Sequence, residues 1–156
     1  MRLALYQPDI PQNVGAIIRL TACFAIPLEI IGPCGFLWDD RRLKRAGMDY
    51  LDLAEIRQFA SWTDYLARRE PGRLILLTTA GAARHVDFAF RPDDVLLFGR
   101  ESAGVPAEVH QRADARLRIP LRPDARSLNL SISAAMTLAE ALRQTGDWPD
   151  LPVRNG

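Results

Sequence analysis

The residues best placed to do chemistry stand at the end of a Pro- and Arg-rich bend. The stretch is IPLRPDARSLNLSISAAMTLAEALRQ, from Ile119 to Gln144. Arg126, Ser127, Asn129 and Ser131 fall just where an Ala-rich helix is about to begin. A helix start leaves backbone N–H groups without partners, and one Ser or Asn suffices to cap it. Three such residues in five positions allow a second use, a polar cradle for a ligand at the helix N-terminus. A second candidate is FGRESAGVP, where Gly99, Ala103 and Gly104 surround Glu101 and Ser102. Small residues let a backbone approach a ligand closely, but they serve tight turns equally well. A third is LTTAGAARH, from Leu77 to His85.

The elements that must position these loops follow from apolar patterning. Arg2 to Tyr6, Leu28 to Gly32, Leu53 to Phe59, Leu74 to Thr79, Val95 to Phe98 and Leu117 to Pro120 read as strands. LILL and VLLF are apolar without alternation, as in parallel strands covered on both faces. Helices are predicted after an N-capping Asn13, after Ser61, over Pro106 to Ala113 and over Leu130 to Gln144. A short exposed helix is predicted over Trp38 to Gly47. Alternating strands and helices make an α/β protein with a mostly parallel sheet flanked by helices. Ligands of such sheets bind beyond the carboxyl ends of the strands, where all three loops lie.

Composition limits the alternatives. The 156 residues suit a single domain spanning 1–156, and 48% hydrophobic with 25% charged residues is ordinary for a soluble protein. No apolar run approaches the ~20 residues of a membrane span, so no membrane partner is expected. The N-terminus turns polar too early for a signal peptide, and Cys23 and Cys34 read as reduced thiols of a cytoplasmic protein. No metal-ligand spacing is present, so no metal is expected. His85 and His110 are expected to be exposed. Neither a GxxxxGK[ST] loop, nor GxGxxG after the first strand, nor a GxSxG elbow occurs. Of twenty basic residues only Lys44 is a lysine, and two Arg concentrations stand out: Arg41 to Arg45, and Arg116, Arg118, Arg122 and Arg126. Each could be a solvated face; together they suit a phosphate backbone.

Three blocks in order carry a family resemblance: NVGAIIRL (Asn13 to Leu20), LLFGRESAGVP (Leu96 to Pro106) and LRIPLRPDARSLNLS (Leu117 to Ser131). With them the chain resembles the SPOUT superfamily, and within it the minimal methyltransferases acting on the ribose 2′-hydroxyl of the tRNA wobble nucleotide, cytidine or uridine. The resemblance implies a C-terminal deep trefoil knot, which ordinary topology rules would not suggest. It implies S-adenosylmethionine as methyl donor, S-adenosylhomocysteine as product, and a homodimer whose active site draws on both subunits. Carried over by position, Leu77, Gly99, Ile119 and Ser127 would contact the cofactor, largely through backbone atoms. Arg19, Ser127 and Asn129 would form the catalytic group, with Arg19 beside the 2′-hydroxyl. A guanidinium rarely gives up a proton, so polarising the hydroxyl suits Arg19 better than acting as a base. Glu101 would support the site. Asn13, Arg41, Arg42 and Arg45 would meet the tRNA anticodon stem-loop.

The chain departs from the family pattern at Ile132, where an asparagine is usual, and at Ala139, where a tyrosine is usual. Competing readings are a 2′-O-methyltransferase for another tRNA or rRNA position, a non-catalytic knotted RNA-binding protein, and a generic Rossmann-like nucleotide-binding enzyme.

Overall fold

A computed structural model describes residues 1–38 and 50–150. The helix expected over 38–47, and with it Arg41, Arg42 and Arg45, lies outside the described residues. The core is one seven-stranded sheet, ordered β3-β2-β1-β6-β4-β7-β5. Its strands are β1 (Arg2–Tyr6), β2 (Leu28–Ile31), β3 (Ile56–Phe59), β4 (Leu74–Leu77), β5 (Ala83–Arg84), β6 (Val95–Phe98) and β7 (Ala115–Arg118). Every pairing is parallel.

Strands β1, β2, β4 and β6 are buried at every position, which is why β4 and β6 are apolar without alternation and only Arg2 and Glu29 bring charge into β1 and β2. Their side chains alternate between two clusters, one on each face. Leu3, Leu5, Ile75, Leu77, Leu96 and Phe98 pack with helices α1 (Pro11–Cys23) and α4 (Leu130–Thr145). Ala4, Tyr6, Leu74, Leu76, Val95 and Leu97 pack with α2 (Trp62–Arg68) and α3 (Ala107–Arg112). Each fully buried Leu or Ile contributes about 1.5–3 kcal/mol, so the central strands anchor the fold.

Several details differ from the sequence reading: β3 begins at Ile56 where Leu53 is expected, and β7 spans Ala115–Arg118 where Leu117 to Pro120 is expected. Helix α1 starts at Pro11, with Ile10 as its cap, so Asn13 sits inside the first turn and not at the N-cap. Pro suits that first position because its missing N–H would be unpartnered anyway. The two-residue strand β5 and the 3-10 turn at His85–Asp87 are too short to show a period in the sequence. His85 is buried, at 4% exposure. It enters the interior because that turn packs against α4.

The topology around β7 is unusual. The chain leaves β4, runs to β5 at the sheet edge, returns to form β6, and only then inserts β7 between β4 and β5. The β4–β5 connection therefore lies across the end of β7. There Thr78 N–H donates to the Leu117 carbonyl at 2.9 Å.

Candidate active site

The loops after β4, β6 and β7 and the first turn of α4 enclose a cavity of about 560 Å³ at the carboxyl ends of the strands. That volume suits a small-molecule ligand. Leu77, Gly99, Ile119 and Ser127 all line it, so the four positions expected to hold a cofactor are brought together from three segments of the chain. Asn13, Glu101 and Asn129 line it too.

Gly99 is dictated by close packing. A Cβ there would come within 2.6 Å of the Gly104 backbone. The loop folds back on itself, with Arg100 and Gly104 exchanging backbone hydrogen bonds of 3.0 and 2.8 Å. This compact turn presents Gly99 to Val105 along one wall of the cavity.

A chain of hydrogen bonds joins the separate segments. The Glu101 carboxylate accepts from the Asp9 N–H and from Asn13 Nδ2, each at 2.8 Å. Asn13 Oδ1 accepts from Asn129 Nδ2 at 2.8 Å. Asn129 Oδ1 accepts from Ser131 N–H at 2.8 Å, Ile132 N–H at 3.4 Å and Ser131 Oγ at 2.7 Å. The polarity is forced at both ends. A carboxylate can only accept and backbone N–H groups can only donate, so both Asn amides have one allowed orientation. Asp9 adds a second tie to the same loop. It pairs with Arg100 at 2.9 Å and accepts from the N–H and hydroxyl of Ser102. Hydrogen bonds from Arg100 and Ser102 hold the Asp9 carboxyl below its ordinary range.

The expected cradle at the start of α4 is thus divided. Asn129 is the cap, and Ser131 joins it. Ser127 is left over: it lines the cavity, and among the described residues its side chain has no partner. Leu128 and the buried Leu130 also line the cavity. Arg19 is not brought to this cavity. It is exposed on α1, its guanidinium 4.9 Å from the ring centroid of Tyr50. The partnership of Asp9, Arg100 and Ser102 is not announced by any motif in the sequence. The signal was present in the acidic residue fixed between Pro8 and Pro11, but pairing across more than ninety positions cannot be read from spacing.

A family profile decides the affiliation: that of the SpoU rRNA Methylase family matches residues 1–139. The chain belongs to this family. It is 57% identical to a tRNA (cytidine(34)-2'-O)-methyltransferase of Beijerinckia indica, over 92% of this chain and 91% of that one. A solved structure concerned with 2-OH methylation of C/U34 on tRNA superposes with a TM-score of 0.86 at 41% identity, covering 92% of this chain and 94% of its own. The AviRb SpoU methyltransferase of Streptomyces viridochromogenes, solved with AdoMet, superposes with a TM-score of 0.81 at 26% identity, covering 92% of this chain and 57% of its own. Among the described residues no helix is long and apolar enough to cross a membrane.

Proposed function

We propose that this protein transfers a methyl group from S-adenosylmethionine to the ribose 2′-oxygen of the tRNA wobble nucleotide, cytidine or uridine. One observation carries the reading: the cavity gathers Leu77, Gly99, Ile119 and Ser127 from three segments behind a single hydrogen-bonded wall. The site fits the methyl donor in size, in its apolar and backbone-rich lining, and in the free Ser127 hydroxyl. When bound, the donor supplies a methyl group already activated by positive sulfur, so alignment of the acceptor is the protein's main task. Asn13, Glu101 and Asn129 hold the motif loops in register for that alignment. Arg19 polarises the 2′-hydroxyl and steadies the adjacent phosphate; its guanidinium remains charged throughout.

Arg19 stands apart from the cavity of its own chain, which favours a homodimer with each site completed across the interface. Helix α4 offers a face for such contact. Ile132 and Met136 are exposed at 52% and 43%, and exposed Ala139 follows on the same helical stripe. Both departures from the family pattern, Ile132 and Ala139, lie on this one face. They therefore bear on subunit packing and leave the cavity untouched. The fold is read as one domain whose C-terminal half forms the trefoil knot, in keeping with β7 passing under the β4–β5 connection. Arg41, Arg42 and Arg45 are assigned to the anticodon stem-loop on charge alone.

The test is transfer of labelled methyl to tRNA from a strain lacking the enzyme, followed by mapping of the modified ribose. Label at the wobble ribose supports the reading. Label confined to ribosomal RNA, or to another tRNA position, replaces the substrate and keeps the chemistry.

A further inference from the structure

The arginines beside β7 are not accounted for by the cavity. Arg118 is exposed, and among the described residues it has no charged or hydrogen-bonded partner. Its register partner across the parallel β5–β7 ladder is Arg84. Paired residues of adjacent strands project from the same face roughly 5 Å apart, so two cations stand side by side, an arrangement that destabilises a sheet. Arg116, two residues before Arg118 and on the same face, is also exposed; its Nε donates to the His110 carbonyl at 2.7 Å.

Charge on an outermost strand has a familiar use, since it discourages sheet edges from joining. That use explains Arg84, which also pairs with Asp87 through hydrogen bonds from Nε and Nη2. It does not explain Arg118, because β7 is paired on both sides. The nearby acids are otherwise engaged. Asp114 accepts from the Leu74 N–H at 2.7 Å, and Asp124 pairs with Arg122 at 3.1 Å.

The juxtaposition is also built with care. A Cβ on Gly81 would lie 2.3 Å from the Leu117 carbonyl carbon and 2.6 Å from the Arg118 nitrogen. Only glycine lets the crossing segment lie on β7 closely enough to bring Arg84 into register with Arg118. Ile119, the next residue, lines the cavity, so this charged face is continuous with the cavity rim, where Arg126 also stands unpaired among the described residues.

We propose that the β5–β7 edge is a docking surface for RNA phosphodiester backbone, with Arg118 as its principal contact and Arg84 and Arg116 beside it. An anion relieves the repulsion between the in-register arginines. The surface engages tRNA outside the reacting nucleotide and adds to the basic segment at Arg41 to Arg45. This rests on the tRNA-methyltransferase reading and extends it to substrate positioning.

The experiment is titration of full-length tRNA into the full chain carrying Arg118→Ala or Arg118→Glu, from about 50 to 200 mM salt. Calorimetric titration of S-adenosylmethionine runs in parallel. The alanine variant is expected to bind tRNA about three- to ten-fold more weakly and to lower the salt slope by about one. The glutamate variant should lose more, and both should keep wild-type affinity for S-adenosylmethionine. Unchanged tRNA affinity and salt slope in the glutamate variant, with normal wild-type binding, overturn this proposal alone. Weakening of cofactor and tRNA together overturns it in favour of a structural role. A wild-type chain that takes up cofactor yet binds no tRNA overturns the functional reading as well.

Discussion

The two ends of the sheet use similar residues to opposite effect. At the amino end, Glu29 is 1% exposed and accepts from the Tyr65 hydroxyl at 2.8 Å. Arg2 lies 3.5 Å from Glu29 and pairs with Glu70 at 2.9 Å, and Arg57 closes the group on Glu70. Burial and the neighbouring Glu29 push the Tyr65 hydroxyl well above its ordinary range, so it stays protonated and donates. Each charge there is paired with another part of the protein, Arg2 and Glu29 inside and Arg57 and Glu70 at the surface. At the carboxyl end, Glu101 and Asp9 also bind inward, but what they bind are the backbone and side chains of loops. Those loops then leave Ser127 and Arg126 facing a cavity. A buried ionic group can hold strands together or hold a site open. The difference lies in where the leftover polar groups face: Ser127 and Arg126 face a cavity, whereas Arg2 Nε and Glu29 Oε1, which make no hydrogen bond, are closed inside the protein.

The comparison can be broken first at Arg19, the residue outside both networks. Arg19→Ala is expected to lower methyl transfer by about 100-fold or more, in line with the loss of one electrostatic contact to the reacting group. Cofactor affinity should stay near wild type, as measured by calorimetry. Near-normal turnover removes Arg19 from the mechanism.

The amino-end network should respond in stability alone. Glu29→Ala leaves the buried Tyr65 hydroxyl without its acceptor while Arg2 keeps Glu70, and such a loss costs about 1–3 kcal/mol. Denaturant unfolding checks the loss, while turnover per folded molecule at low temperature should hold.

Glu101→Ala should behave in the contrary sense. It deprives Asn13 Nδ2 and the Asp9 N–H of their acceptor, costing about 1–3 kcal/mol. Because Asn13 and Asn129 follow from Glu101, cofactor affinity is expected to fall by more than stability does. Equal losses in both would make Glu101 a general brace.

The smallest effect concerns pH. The Asp9 carboxyl is held below its ordinary range, so its contribution is fully present above the unfolded value of about 3.9. It is lost as pH falls through the lower folded value. The stability difference between wild type and Asp9→Asn should be flat above pH about 5 and shrink below about 4. A difference that grows on acidification contradicts the assignment.

Much of this was legible in the sequence where burial dictates residue type. VLLF and LILL announce central parallel strands, and RLALY was bounded correctly because each of its residues is buried. Ser61 caps α2 as its spacing suggests, accepting from the Asp64 N–H. Asn13 reads as an N-cap because a good capping residue followed by an apolar run looks the same whether it caps a helix or reaches across the fold. Its real partners, Glu101 and Asn129, lie 88 and 116 positions away. β5 was invisible because two residues carry no period, and His85 was misplaced with it. The four cavity positions Leu77, Gly99, Ile119 and Ser127 came from resemblance. Residue chemistry alone could not separate a ligand loop from a tight turn.

The central claim is that these loops form a cavity for S-adenosylmethionine, and titration calorimetry with S-adenosylhomocysteine tests it most directly. The account predicts saturable binding of one molecule per chain, lost in Gly99→Val, whose side chain has no room against Gly104. Absence of binding to the wild-type protein, even with tRNA present, or undiminished binding to Gly99→Val, contradicts it.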